Sequence, residues 1–305
     1  MHDRTCVIVN PAAGRGRGAK MIPSLAAAFA GIGSTEIRTT THAGDEHRVA
    51  NEAISAGYTT LVVVGGDGTM SNVANAILHS AEDVRLAVMP AGTGNDFAKL
   101  LGTVRADPRT VARLCATAPE QRVDAGKIEE KYFVNCCGFG FDVAVLQGIR
   151  KHRRLRGNAV YVYTAIAELF GYRGSTIGVS SAASVRPPEM HLMLVLANAS
   201  YFGGTFEIAP GAVATDGMLD AISILDVPAW KRAAVLGAAL LGKHERFSEC
   251  VRERAGEFEI SFDSPPTYDA DGELHRAGSA EVKVSSCPRA LRVVANVSLT
   301  PDINS

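Results

Sequence analysis

Residues 65–69, Gly65-Gly66-Asp67-Gly68-Thr69, have the make-up of a phosphate cradle. Backbone N–H groups left open by the absence of Cβ atoms, at the point where a strand turns into a helix, attract anions. Asp67 would repel a phosphate placed there alone. Its carboxylate makes chemical sense when a divalent cation lies between the two. A plain strand-to-helix turn can look the same, so the remaining loops decide. Asn10-Pro11-Ala12-Ala13-Gly14-Arg15-Gly16, Thr40-Thr41-His42-Ala43-Gly44-Asp45 and Pro90-Ala91-Gly92-Thr93-Gly94-Asn95-Asp96 each follow a short stretch that reads as a strand, as residues 65–69 do. Further along, Asp216-Gly217 and Asp271-Gly272-Glu273 are turn signals that also carry carboxylates. Singly, Asn10-Pro11, Arg15 and Thr40 are ordinary loop residues. Four such loops together are much stronger evidence for a phosphate-type ligand site than any one of them.

The elements that must hold these loops follow from hydrophobic pattern. Thr60–Val64 reads as a buried strand, apolar and β-branched, and Met70–His79 as a helix. Cys6–Val9, Glu36–Thr39 and Arg85–Met89 read as further strands; Ala19–Ala30, Glu46–Ala56 and the start of a helix at Phe97–Leu101 alternate with them. Strands alternating with helices predict a parallel, covered sheet whose strand carboxyl ends carry the loops. Near Arg122–Asp124 the pattern changes to short alternating strands: Val123–Ile128, Tyr132–Cys136, Met190–Ala197, Leu219–Leu225, Phe258–Phe262, Glu281–Ser285 and Leu291–Val297. These predict an antiparallel sandwich, interrupted by helical stretches Asn158–Phe170 and Pro228–Leu241. The expected division is an α/β domain over 1–124 and a β-sandwich domain over 125–305. The last strand, 291–297, is a candidate for return to the first domain.

Composition narrows the function classes. The 305 residues suffice for two domains, and 47% hydrophobic with 21% charged residues is ordinary for a globular chain. A net charge of −1 argues against nucleic acid as a partner. Six Cys without a C-x-x-C pair form neither a disulfide framework nor a zinc pattern, which suits a reducing cytoplasm. The N-terminus lacks a signal-peptide core, and the most apolar stretches, Met190–Ala199 and Ala233–Leu241, fall short of the roughly 20 residues that span a bilayer. One charge feature stands out: Arg150-Lys151-His152-Arg153-Arg154-Leu155-Arg156, five Lys or Arg in seven residues. It is a solvated loop, a patch for anionic lipid headgroups, or both.

The order and spacing of Asn10-Pro11 with Gly14, Gly65–Thr69 and Pro90–Phe97 resemble the bacterial soluble diacylglycerol kinases, lipid kinases related to sphingosine kinases. The likeness continues through Tyr201–Gly204, Ala209–Ala212, Thr215–Leu219 and Tyr268–Glu273, nearly the whole chain. The Gly65–Thr69 motif alone is shared with NAD kinases and phosphofructokinases; the later motifs separate the lipid kinases from both. The resemblance implies a Rossmann-like parallel sheet of the NAD kinase/diacylglycerol kinase type, followed by an all-β sandwich. It implies transfer of the γ-phosphate of ATP to a lipid hydroxyl, with diacylglycerol as first acceptor.

Carried over by residue, the resemblance implies that Asn10, Pro11, Gly14, Thr40, Gly65, Gly66, Asp67, Gly68, Thr69, Thr93 and Asn95 hold ATP. Asp67, with Asp96 and Arg15, would organise the catalytic Mg²⁺ and phosphates. Glu273 would accept the proton of the lipid hydroxyl, with Asp271 beside it, across an interdomain cleft from the nucleotide. A second, structural Mg²⁺ would be held by Asp216 and the backbone carbonyls of Val213 and Met218. Two departures are visible: Ser71-Asn72 stands where the family usually reads Asn-Glu, and Arg15 where Lys is often found. A sphingoid base, ceramide, phosphatidylglycerol or a polyprenol would serve as acceptor by the same chemistry. NAD kinase and a silent nucleotide or lipid sensor are the rival classes. The expected setting is cytoplasmic, at the inner face of an anionic membrane, and an exposed sheet edge could pair two copies.

Overall fold

The computed structural model of the protein describes residues 4–151, 164 and 167–299. The chain forms two compact units. The first takes the chain up to Ala125, Val213–Gly217 and the chain from Cys287 onward; the second takes Gly126–Ala212 and Met218–Ser286.

The first unit alternates β1 (Arg4–Val9), α1 (Ala13–Phe29), β2 (Ser34–Thr39), α2 (Asp45–Ser55), β3 (Thr60–Gly65), α3 (Asp67–His79), β4 (Arg85–Pro90), α4 (Asp96–Leu100) and α5 (Pro108–Thr117), and then starts β5 (Gln121–Ile128). The four strands run parallel in the order β4-β3-β1-β2. β3 is central, and Leu61–Val64 are wholly buried, as a β-branched run covered on both faces should be. Leu25 and Phe29 of α1 and Val111 and Leu114 of α5 pack on Val7, Val9, Val62 and Val64. Helix α5 is absent from the sequence reading, yet its start is marked. Asp107 caps it, its side chain accepting from the Thr110 N–H, and Pro108 follows as the first helical residue.

The second unit holds β6 (Lys131–Phe133), β7 (Cys136–Gly140), α6 (Phe141–Lys151), β8 (Ser175–Ser181), β9 (Val185–Ala197), β10 (Tyr201–Phe202), β11 (Phe206–Glu207), β12 (Leu219–Leu225), α7 (Ala229–Ala239), a 3-10 turn (His244–Arg246), β13 (Cys250–Ala255), β14 (Glu257–Phe262), β15 (Thr267–Ala270), β16 (Glu273–Arg276) and the start of β17 (Glu281–Val293). Its strands pair antiparallel throughout the registers β16-β15-β7-β9-β8-β14-β17, with β12 between β9 and β13. Alternate residues of β9 feed two cores. Leu194 and Leu196 join Phe139, Phe258 and Tyr268, whereas Met193, Val195 and Ala197 join Ile222, Ile224 and Val235 under α7.

Three expected strands come out differently. Tyr132–Cys136 is divided into β6 and β7 because the N–H groups of Val134 and Asn135 turn to the Asp271 carboxylate instead of a neighbouring strand. Glu281–Ser285 and Leu291–Val297 are one strand, β17, that ends at Val293. Its first half pairs with β14; Arg292 and Val293 pair in parallel with Arg85 and Leu86 of the first unit. The basic run begins as the last turn of α6, and residues 152–156 lie outside the described residues, as do 158–163 of the expected helical stretch, including Tyr161 and Tyr163. Residues 167–171 are helical.

Candidate active site

At the carboxyl end of the parallel sheet the first unit gathers three of its loops by direct bonds. The main chain of residue 10 continues the sheet, with Asn10 N–H on the Val64 carbonyl (2.9 Å) and Thr40 N–H on Val9 (2.9 Å). After Pro11 the chain passes through three left-handed residues, Gly14, Arg15 and Gly16, at φ 55°, 59° and 86°, before α1 proper. Gly14 needs this freedom doubly, because a Cβ there would lie 2.1 Å from the Ala91 carbonyl oxygen. Arg15 is exposed in this turn. The cation that braces the neighbouring loop is Arg17, which donates to the Pro90 carbonyl (2.7 Å).

The Gly65–Thr69 and Gly92–Asp96 loops touch through glycines: a Cβ on Gly92 would fall 2.4 Å from the Gly66 Cα. The Gly65 carbonyl accepts from Ala91 and Gly92 N–H. Helix α3 starts at Asp67, inside the glycine motif and three residues earlier than its apolar periodicity indicates. Its Gly66 cap supplies no side-chain acceptor for the first amides. The Asp67 carboxylate turns outward, taking the Asn95 N–H on Oδ2 (2.7 Å) and the Asp96 N–H on Oδ1 (2.7 Å). Asn95, left-handed at φ 52°, closes its own loop by bonding the Gly92 N–H and carbonyl. Burial, and then the charge of Asp96, raise the Asp67 pKa above the ordinary carboxylate range. Asp96 is buried and paired with Lys99 (2.6 Å). Two carboxylates that repel one another beside open helix amides suit a bound cation and phosphate. Thr93 is exposed at the tip of this loop, and Thr40 is buried at the end of β2.

A residue missed by sequence reading joins the set. Glu46, in the first turn of α2, is 3% exposed, and its Oε1 accepts from Asn10 Nδ2 (3.1 Å) and Thr69 Oγ1 (3.3 Å). Its Oε2 is buried without a hydrogen-bond partner. Asn10 also donates to Thr69 Oγ1 (2.9 Å). No spacing rule marks Glu46, because its partners lie on β1 and α3. Its neighbour Asp45 is held well below the ordinary carboxylate range by Arg48, with Thr41 N–H and Oγ1 also bonded to it.

The segment Val213–Gly217 belongs to the first unit and is fastened by another residue missed from sequence, Asp124, which is wholly buried. Its N–H donates to Ala214, and its carboxylate takes the N–H of Gly217 (2.7 Å) and of Arg289 (2.7 Å). Asp216 is exposed on this segment, and Met218 begins the chain's return to the second unit. Among the described residues no three His, Cys, Asp or Glu side chains converge as a metal site. One carboxylate with two carbonyls is nevertheless an all-oxygen set, which suits a hard cation that keeps several waters.

In the second unit, β15 and β16 form a hairpin closed by Asp271 and Gly272, both at positive φ (50° and 90°), as a two-residue turn requires. Asp271 is buried and accepts three main-chain N–H groups, from Val134 (2.9 Å), Asn135 (2.8 Å) and Cys136 (3.2 Å). Glu273, half-buried, opens β16. Two further carboxyls are buried, Asp269 on β15 itself and Asp142 in the first turn of α6. Asp142 Oδ2 occupies the space a Cβ on Gly138 would fill (1.9 Å), and Gly138 faces Asp269 across β7–β15. Burial, and then the charge of Asp142, raise Asp269 far above the ordinary range; burial pushes Asp142 up to about 7.

The Asp142 shift carries a stability prediction. A carboxyl at 3.8 when unfolded and about 7 when folded favours the folded state while protonated and penalises it once ionised. The penalty is absent below the unfolded value, grows through the window between the two, and is complete above the folded one. Asp142→Asn keeps the shape without the charge. Its advantage over the parent in urea denaturation should rise across that window by on the order of a few kcal/mol. A constant difference between variant and parent over the same pH range would show that Asp142 is not the titrating group.

Comparisons with known proteins agree with this geometry. Residues 4–128 match the diacylglycerol kinase catalytic domain, and residues 135–295 match the YegS C-terminal NAD kinase beta sandwich-like domain. A Pseudomonas aeruginosa (PAO1) protein named "Probable lipid kinase YegS-like" is 33% identical over 258 residues, covering 84% of this chain and 83% of its own. A Bacillus subtilis protein named "Diacylglycerol kinase" is 27% identical over 272 residues, covering 88% and 89%. The crystal structure of a diacylglycerol kinase from Bacillus anthracis shares the fold, with a TM-score of 0.73 at 21% identity over 98% of this chain and 99% of that one. With a diacylglycerol kinase catalytic domain followed by a YegS-type β-sandwich domain, the chain belongs to the family of lipid kinases related to diacylglycerol kinase.

Proposed function

We propose that the protein transfers the γ-phosphate of ATP to the hydroxyl of a membrane lipid, with diacylglycerol as first acceptor and phosphatidic acid as product. The observation that carries the proposal is the Asp67 carboxylate fastening the Gly92–Asp96 loop beside the uncapped amides of α3. In this scheme the first-turn N–H groups of α3 and Arg15 hold the phosphates, while Asn10, Thr40 and Thr93 contact the rest of the nucleotide. Asp67 and Asp96 would hold Mg²⁺, and Val213, Asp216 and Met218 a second ion. Bound Mg²⁺ neutralises charge on the transferring phosphate. Glu273 accepts the hydroxyl proton as the new O–P bond forms and the bond to ADP breaks.

Apolar walls for an acyl chain are offered by a cavity of about 390 Å³ in the second unit, lined in part by Phe139, Val143, Tyr172, Met190 and Phe262. No helix among the described residues is long and apolar enough to cross a membrane, so access to lipid would come by peripheral docking on the cytoplasmic face. The deciding assay is transfer from labelled ATP to diacylglycerol in anionic mixed micelles, with sphingosine, ceramide, phosphatidylglycerol, a polyprenol and NAD in parallel. Label in phosphatidic acid is expected. Label in another lipid replaces the acceptor, and label only in NADP removes the lipid assignment. Glu273→Gln is expected to lower turnover by roughly a hundredfold with ATP affinity unchanged; full turnover would exclude Glu273 as the base.

A further inference from the structure

Helix α7 is apolar on two opposite faces, and the protein covers only one. Val235 and Ala239 are buried against Ile222 and Ile224, and Arg232 is buried with them. The opposite arc, Trp230, Ala233, Ala234 and Gly237, continued past the helix end by Leu240 and Leu241, follows i, i+3, i+4, i+7 spacing and is exposed throughout. Trp230 is 74% exposed and Leu241 66%, in a chain whose large apolar side chains are otherwise mostly inside. Phe170, 71% exposed, stands beside this helix, because Arg232 donates to the carbonyls of its neighbours Leu169 (2.9 Å) and Tyr172 (2.8 Å).

The charges around the arc are sorted. Lys231 is paired with Glu249, Arg252 with Glu245 (2.9 Å) and Arg232 with Asp226 (2.7 Å). That leaves Arg173, Lys243 and Arg246 exposed and without an ion pair among the described residues. Glu245, next to Arg246, is exposed but taken by Arg252, and Glu168 and Glu207 are both partly buried. The rim is therefore net positive around an apolar strip led by a Trp. A side chain with an apolar body and one N–H donor is at home where hydrocarbon meets headgroup. The strip is one helix wide and about 16 Å long, short of the roughly 800 Å² per partner that a stable dimer buries.

We propose that the exposed face of α7, with Phe170 and the Arg173, Lys243 and Arg246 rim, is the surface by which this protein docks on anionic lipid bilayers. The proposal rests on the lipid-kinase assignment for its biological sense, and its test is independent of turnover. Trp230 is the chain's single Trp. Its emission should shift to the blue when the full-length protein is titrated with phosphatidylcholine vesicles containing phosphatidylglycerol, and far less with phosphatidylcholine alone.

Leu240→Ser/Leu241→Ser, which keeps the fluorophore and alters only exposed positions, should weaken vesicle binding about tenfold or more. Lys243→Gln and Arg246→Gln should each weaken it about fivefold at low salt. All of these variants should melt like the parent and phosphorylate a short-chain, water-dispersed diacylglycerol at the parent rate. A blue shift without any lipid phosphorylation would leave the docking surface standing and remove the kinase assignment. Trp230 emission that ignores anionic vesicles, or a Leu240→Ser/Leu241→Ser variant that binds them like the parent, overturns the proposal. So does a change of oligomeric state, in place of vesicle affinity, on altering Leu240 and Leu241.

Discussion

Asp67→Ala is expected to lower turnover on the order of a thousandfold and to weaken nucleotide binding with it. The change removes two things at once. It frees the Asn95 and Asp96 amides, which the carboxylate takes at 2.7 Å each. It also removes one of the two charges proposed to hold the cation. The surrounding fold should survive, because the contact between Gly66 and Gly92 and the parallel registers of β1, β3 and β4 do not depend on Asp67. Asp67→Asn separates the two effects: one carbonyl oxygen still accepts a loop amide, while the charge is gone. Nucleotide affinity should therefore recover further than turnover. Isothermal titration with ADP beside steady-state assays measures both, and an Asp67→Ala enzyme within tenfold of the parent would take Asp67 out of the reacting set.

The second large effect concerns stability. In Asp271→Ala three main-chain N–H groups, of Val134, Asn135 and Cys136, lose a charged acceptor in a buried setting. Hydrogen bonds to a charged group are worth about 1.5–3 kcal/mol each and do not add fully. Position 271 is also left-handed, at φ 50°, where Ala is strained. A loss of roughly 5 kcal/mol follows from these two causes, comparable with the whole stability of many domains. Urea denaturation followed by far-ultraviolet dichroism would read it as a fall in midpoint. Asp271→Asn, which tolerates the left-handed turn and keeps one acceptor, should lose about half as much. A change below about 1 kcal/mol in Asp271→Ala would mean that the three amides find other partners.

Much of this protein is written locally. The β-branched run of β3, the glycines that follow it, the alternation of strands with helices up to residue 101 and the Asp271-Gly272 turn were all readable from contiguous residues. Steric preference and hydrophobic period act over a few positions, so short stretches state them without help. The same holds for α7, whose two apolar faces are visible in the spacing of 230–241; which of them stays bare is not.

What tertiary structure decided is mostly the work of carboxylates. Asp67 finds its amides 28 and 29 positions away, and Asp271 finds its own at separations of 135 to 137. Glu46, Asp124, Asp142 and Asp269 carry no local mark at all. Each became a bridge, an anchor or a buried acid only when the fold brought distant main chain to it. Even β17 reads as two strands until its second half is seen beside β4. The period of a strand is a property of neighbours in sequence, whereas the partner of a buried charge is set by desolvation, which demands satisfaction from whatever the fold places within reach.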